Sequence, residues 1–258
     1  MTTVSGVSRF LNTTHQSRNA DSPRLRLRPH SAFFEPTSNA KSLSALRALE
    51  LNSTWSDLPP TQSLITYATP NIHELSTLYD YLNESEHAVF APRAWLDSIP
   101  VSASRLAARL PAWVLAEGVV QRAIPLLALF ECLFVKSGPR GLVVVQRVQG
   151  RDAVDAWARL ASAGEKGCVV SRSEVSDEDA VVACHFPAIE LGKKEVGTVT
   201  GAGDNLAGAM LAAMVRGLDP AKAGELGRIV EIGQRAAVAT LRSREAVGDH
   251  TQLQALLP

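Results

Sequence analysis

The segment Thr198-Val199-Thr200-Gly201-Ala202-Gly203-Asp204-Asn205 sets two glycines and an acid directly ahead of an apolar run, Leu206 to Val215. That run is small and apolar on every face, so it predicts a buried helix closed by Gly217, with Asp219 capping the next helix at Pro220. A helix start presents backbone N–H groups that have no intrahelical partner, and glycines let an anion come close to them. Gly201, Ala202 and Gly203 are therefore a candidate cradle for a phosphoryl group. The Asp204 carboxylate would then sit where negative charge develops, a position suited to a general base that takes a proton from an attacking hydroxyl. Taken alone, the octapeptide reads first as a glycine turn entering a helix, with Asp204 as a dipole-favoured cap residue. A dinucleotide fingerprint fits worse, because Leu206 stands where the third glycine belongs and Asp219 is too near to be the ribose-binding acid. A P-loop fails because no G-K-[ST] follows the glycines.

The elements that must position this turn are legible as an alternation. Ser31 to Glu35 is a short apolar run ended by Pro36, and Thr37-Ser38 offers an N-cap for a helix over Ala40 to Leu49. Residues Leu51 to Ser63 are polar and carry prolines. Leu64 to Ala68 reads as a second strand, stopped by Thr69-Pro70-Asn71 ahead of a helix through Leu82. A helical region from about Ser102 to Glu131 leads into a strand at Cys132 to Lys136. The turn Ser137-Gly138-Pro139-Arg140-Gly141 then returns the chain through Leu142 to Val148 as a hairpin. Strands alternating with helices predict an α/β fold with a mainly parallel sheet covered on its faces.

Composition narrows the function classes. The chain has 258 residues, 26 Lys+Arg against 26 Asp+Glu, and is 46% hydrophobic. A formal charge of zero supplies no broad attraction to a phosphate backbone or an anionic membrane, so neither nucleic acid nor membrane is expected as a partner. The longest apolar stretch, Leu106 to Val135, is interrupted by Arg109, Glu117, Arg122 and Glu131 and by two prolines, which suits a soluble segment. Cys132, Cys168 and Cys184 are odd in number and lack C-x-x-C spacing, which argues for reduced thiols and against a disulfide framework or zinc site. Residues 1–28 are rich in Arg, Ser and Thr and hold one acid, Asp21; they read as a disordered leader, with a mitochondrial presequence as the alternative to a cytoplasmic protein. The remainder, 29–258, reads as one domain.

Thr200-Gly201-Ala202-Gly203-Asp204 followed by Leu206-Ala207-Gly208 closely resembles the C-terminal signature of the PfkB (ribokinase-like) carbohydrate kinases. Other stretches agree in the same order. Thr69-Pro70-Asn71-Ile72-His73-Glu74-Leu75 is similar to the family's T-P-N-x-x-E-L segment, and Val135 to Gly141 to the strand-turn element beside the nucleotide phosphates. Glu35-Pro36-Thr37-Ser38-Asn39-Ala40-Lys41 resembles the pseudouridine kinase branch, as does Ala236 to Val247 near the adenine pocket.

The resemblance implies a three-layer α/β/α ribokinase-like sandwich and ATP-dependent phosphorylation of a sugar or nucleoside hydroxyl. Asp204 would be the base, and the Gly201, Ala202 and Gly203 amides the anion hole. Lys136, Gly138, Gly141, Thr200 and Asn71 would contact the nucleotide, and Glu74 would act on Mg²⁺ through water. The resemblance runs from about Arg28 to Val247 and corresponds to the C-terminal part of a family member. The amino-terminal substrate and lid half has no counterpart here, and the chain contains no Gly-Gly pair. Thr198 stands where an acid or amide is usual, and Val199 replaces a threonine. These departures keep two alternatives open: a catalytically silent nucleotide-binding module, and one part of a bifunctional pseudouridine-degrading system. A partner chain or oligomer completing the substrate site is a further expectation.

Overall fold

The computed structural model describes residues 32–36, 38–50, 63, 65–84, 94–163, 167–192, 195–249, 251 and 257. The expected leader over residues 1–28 lies outside them. The described chain forms strands β1 (Phe33–Phe34), β2 (Ile65–Ala68), β3 (Phe130–Lys136), β4 (Leu142–Gln149), β5 (Cys168–Arg172) and β6 (Asp179–Phe186). Its helices are α1 (Asn39–Glu50), α2 (Ile72–Glu84), α3 (Ala94–Asp97), α4 (Ala103–Arg109), α5 (Ala112–Ala116), α6 (Val119–Leu126), α7 (Arg151–Ser162), α8 (Ala202–Val215) and α9 (Leu226–Arg242). The six strands make one sheet in the order β1-β2-β3-β4-β6-β5.

Strand side chains alternate between faces, and here both faces are buried. Leu133 and Val135 of β3, with Val143 and Val145 of β4, enter a core shared with α2 and α4 to α6. Their neighbours Cys132, Phe134, Leu142 and Val144 enter a second core with α7, α8 and α9. Two cores divided by one sheet make an α/β/α sandwich. Among the described residues no helix is long and apolar enough to cross a membrane.

The sheet is mixed rather than mainly parallel. β1, β2 and β3 run parallel, whereas β3–β4, β4–β6 and β5–β6 are antiparallel. The turn from Ser137 to Gly141 reverses β3 into β4 as expected, and the short connection over residues 173–178 likewise reverses β5 into β6, so half of the sheet runs antiparallel. The helical region before β3 is also not continuous. Leu110 leaves helical geometry ahead of Pro111, and Gly118 turns left-handed at φ 61°, so the expected helical region is divided into three short helices. The helix expected at Pro220 does not form. Asp219 is spent on a local turn, its Oδ1 accepting from Ala221 N at 2.9 Å, and α9 starts only at Leu226.

The cysteine expectation is corrected as well. Cys168 and Cys184 are directly opposed in the β5–β6 register, and their sulfurs are bonded. Sixteen residues of separation conceal that cross-strand pairing from the sequence, leaving only Cys132 as a buried free thiol.

The β3–β4 turn depends on Gly141. Its φ is +90°, and a Cβ there would overlap the backbone of Phe186, Pro187 and Ala188. Gly141→Ala is therefore expected to lower unfolding free energy by at least ~2 kcal/mol, read from urea midpoints at unchanged m-value.

Candidate functional site

The carboxyl ends of the three parallel strands and the start of α8 meet at Lys136. Strand pairing continues one step beyond β2: Lys136 N donates to Pro70 O at 2.8 Å, and Asn71 and Lys136 form a parallel bridge. This brings the start of α2 against the end of β3. The Lys136 ammonium is ion-paired with Glu35, which directly follows β1. On its other side, a side-chain carbon placed on Gly203 would lie 3.5 Å from Lys136 Nζ.

Gly201 starts α8 in the left-handed conformation, φ 79° and ψ −8°, where L side chains are strained. Its carbonyl accepts from Asn205 N at 2.9 Å and from Asn205 Nδ2 at 2.8 Å. The N-cap Gly201 has no side chain to offer, and among the described residues no side chain caps the first-turn amides, which gives the N–H groups of Ala202 and Gly203 the open character an anion cradle needs. The tip is half-buried and Asp204 is exposed, which corrects the expectation of a helix buried on every face. Only Ala207, Met210, Ala213 and Met214 are buried. The opposite face is Gly208, Ala209 and Ala212, too small to fill the space beside it. It walls a groove of about 570 Å³ bordered also by Asp204, by Ile232 and Ala236 of α9, and by Gly248 and Asp249.

Asn71 and Glu74 have a structural task that the motif alone does not disclose. Asn71 Oδ1 accepts from His73 N at 2.9 Å and Glu74 N at 3.0 Å, while Asn71 N donates to Glu74 Oε2 at 2.8 Å. This reciprocal arrangement is a capping box that fixes the start of α2. Glu74 is buried, and Oε1 is the oxygen left for a hydrated cation. Among the described residues no group of three or more His, Cys, Asp or Glu side chains gathers as a metal cage. A Mg²⁺ ion would fit this donor set only through its retained waters, one of which Glu74 would hold.

The remaining expected contacts divide. Gly138, at φ 57°, lies in an exposed turn whose neighbour Arg140 is ion-paired with Glu117 and stacked 4.3 Å over Trp113. Gly141 is held against Phe186, so this glycine serves the turn. Thr200 is exposed, its N–H donating locally to Thr198 Oγ1 at 3.2 Å. Lys136 and Gly203 are thus gathered with Asn71 and Glu74, and Asp204 is near enough to act on Glu35 by charge, whereas the contacts of Gly138, Gly141 and Thr200 lie within their own turns or against Phe186.

Glu35 is the site residue that the motif reading noted without giving it a role. Burial pushes its carboxyl up to about 7; Lys136 opposes the shift by charge and hydrogen bond, and the charges of Asp204 and Glu74 add to it. Its sequence signal was a single acid at the end of a two-residue strand, which says nothing about a lysine 101 positions away.

No protein-family model matches the sequence, and no curated protein matches it. Solved structures do. Ribokinase from Cryptococcus neoformans var. grubii in complex with ADP matches at 15% identity and a TM-score of 0.46, over 97% of this chain and 56% of that one. The Methanocaldococcus jannaschii nucleoside kinase matches at 15% and 0.41, over 88% and 48%. Aminoimidazole riboside kinase from Salmonella enterica matches at 14% and 0.43, over 88% and 52%. The chain spans about half the length of these structures.

If Glu74 serves first as a capping residue, Glu74→Gln retains the box and should stay within ~0.5 kcal/mol of wild type. Glu74→Ala should lose ~1 kcal/mol in chemical denaturation.

Proposed function

We propose that this chain transfers the terminal phosphoryl group of ATP to a hydroxyl of a sugar or nucleoside. The observation that carries the reading is the α8 tip: uncapped first-turn amides, with the Lys136 ammonium beside Gly203 and Asp204 facing an open groove. Phosphoryl transfer asks a protein for positioning and charge stabilisation more than for covalent chemistry. The Gly201–Gly203 cradle and Lys136 would meet phosphate oxygens, and the groove along Gly208, Ala212 and Ala236 would receive the nucleoside part of ATP. Asp204, exposed at the groove's end, would accept the proton of the attacking hydroxyl. Mg²⁺, arriving with the nucleotide, would neutralise phosphate charge, and Glu74 would hold one of its waters. The acceptor we favour is pseudouridine, on the resemblance of Glu35-Pro36-Thr37-Ser38 to that kinase branch.

One observation favours a second reading, a nucleotide-binding module without turnover. The Lys136 ammonium is already neutralised by Glu35, and Asn71 and half of Glu74 are engaged in the capping box. Binding and turnover are separable experimentally. ATP with Mg²⁺ should raise the melting temperature under either reading, because a ligand specific to the folded state stabilises it by RT ln(1 + [L]/Kd).

Phosphorylated product from ATP and pseudouridine or ribose decides for the kinase. Asp204→Asn should lower that rate by about 10²- to 10⁴-fold, with ATP-induced stabilisation retained. Wild-type turnover by the variant removes Asp204 as the base, and stabilisation without product for any sugar or nucleoside supports the silent module.

A further inference from the structure

Phe33, Tyr67 and Phe134 pack into the core that contains α8. Strand side chains alternate with a period of two, so the residue two positions beyond each points to the same face: Glu35, Thr69 and Lys136. One acid, one hydroxyl and one ammonium thus stand at the carboxyl ends of three adjacent parallel strands, with the ammonium beside Gly203 in the first turn of α8. The sheet fixes their spacing, since Thr69 N donates to Phe34 O at 3.1 Å and Lys136 N to Pro70 O at 2.8 Å.

The cluster is not internally satisfied. Glu35 Oε1 holds Lys136, but Glu35 Oε2 and Thr69 Oγ1 are buried with no hydrogen-bond partner among the described residues. The two charged side chains are only 21% and 15% exposed, too dry for the ion pair to be dismissed as a screened surface contact. A half-buried carboxylate with one unmet oxygen is an expensive partner to keep ionised.

We propose that Glu35 is an intramolecular competitor for the ammonium of Lys136, its carboxylate neutralising that charge beside the α8 tip until an incoming polyphosphate displaces it. The inference rests on the reading of Lys136 and the α8 tip as a phosphate site and adds a restraint on that site. The titration of Glu35 sets the direction. Of the groups acting on it, Lys136 of β3 favours the carboxylate, whereas burial, Asp204 of α8 and Glu74 of α2 favour the acid, giving a value of about 7. Near pH 6 the side chain is mostly neutral and Lys136 is left charged for the ligand. Near pH 8 the carboxylate neutralises it.

The test is calorimetric titration of ATP, without added metal, into wild type, Glu35→Gln and Lys136→Met at pH 6 and pH 8, with folding checked by thermal melting. Glu35→Gln is expected to bind ATP about tenfold tighter than wild type at pH 8, with a smaller difference between the two pH values. A merely structural ion pair predicts unchanged or weaker binding, and either result overturns the proposal. If Glu35→Gln does not fold, the comparison moves to Lys136→Met. Wild-type affinity should then fall between pH 6 and 8 about tenfold more than that of Lys136→Met, and equal falls overturn the inference. Absence of ATP binding by wild type overturns the phosphate reading and this one with it. Wild-type binding with no effect of Glu35→Gln overturns this one alone.

Discussion

The hydrogen bond from Lys136 N to Pro70 O, 2.8 Å long, is the joint on which the site depends. It extends the parallel pairing of β2 and β3 past the ends of both strands, so that Asn71, which starts α2, and Lys136, which ends β3, lie side by side. α8 reaches the same point from the other side through Gly203. Two helix starts therefore converge on one lysine at the carboxyl edge of a parallel sheet segment, the position where open α/β sheets gather ligands. Each start contributes partial positive charge. Glu35, Glu74 and Asp204 oppose it, and their distribution decides what the site accepts. Glu74 is absorbed by its capping box, Asp204 faces the groove, and Glu35 is left facing the lysine.

The sequence displays this arrangement unevenly. Local signals survive folding well: Ser38 precedes α1 with its hydroxyl accepting from Lys41 N at 3.3 Å, the Thr69-Pro70-Asn71 stop separates β2 from α2, and the Ser137–Gly141 turn reverses the chain as its glycines require. The glycine-acid turn stands at a helix start, as its residue order predicts. Information carried between strands is a different matter. Parallel or antiparallel pairing, the opposition of Cys168 and Cys184, and the contact of Glu35 with Lys136 are consequences of register, and register is written in no single segment.

The role of Glu74 shows a subtler limit. N-x-x-E at a helix start satisfies a capping box and a cation-organising motif with the same two side chains, and only the hydrogen bonds reveal that the box is made. The chemistry available to Glu74 is whatever the box leaves over. An acid that also holds the helix start is fixed in place, with one of its oxygens already spent on Asn71 N.

α8 carries the same argument into packing. Its residues are small and apolar all round, a composition that ordinarily means burial on every side. The helix meets α9 closely on one side, where Gly233 leaves room for Met210 and the carbonyl of Leu206. On the other side Gly208 and Ala212 present almost no volume, and the chain around Gly248 and Asp249 stands off to leave the groove. Small side chains thus serve two opposite ends, intimate contact and open space, and which one results is decided by what stands across from the helix. Because the tight side fixes α8 against its neighbour, the amides of its first turn are set beside Lys136 before any ligand arrives. A rigid tip bordering an open groove is the arrangement that positioning chemistry requires.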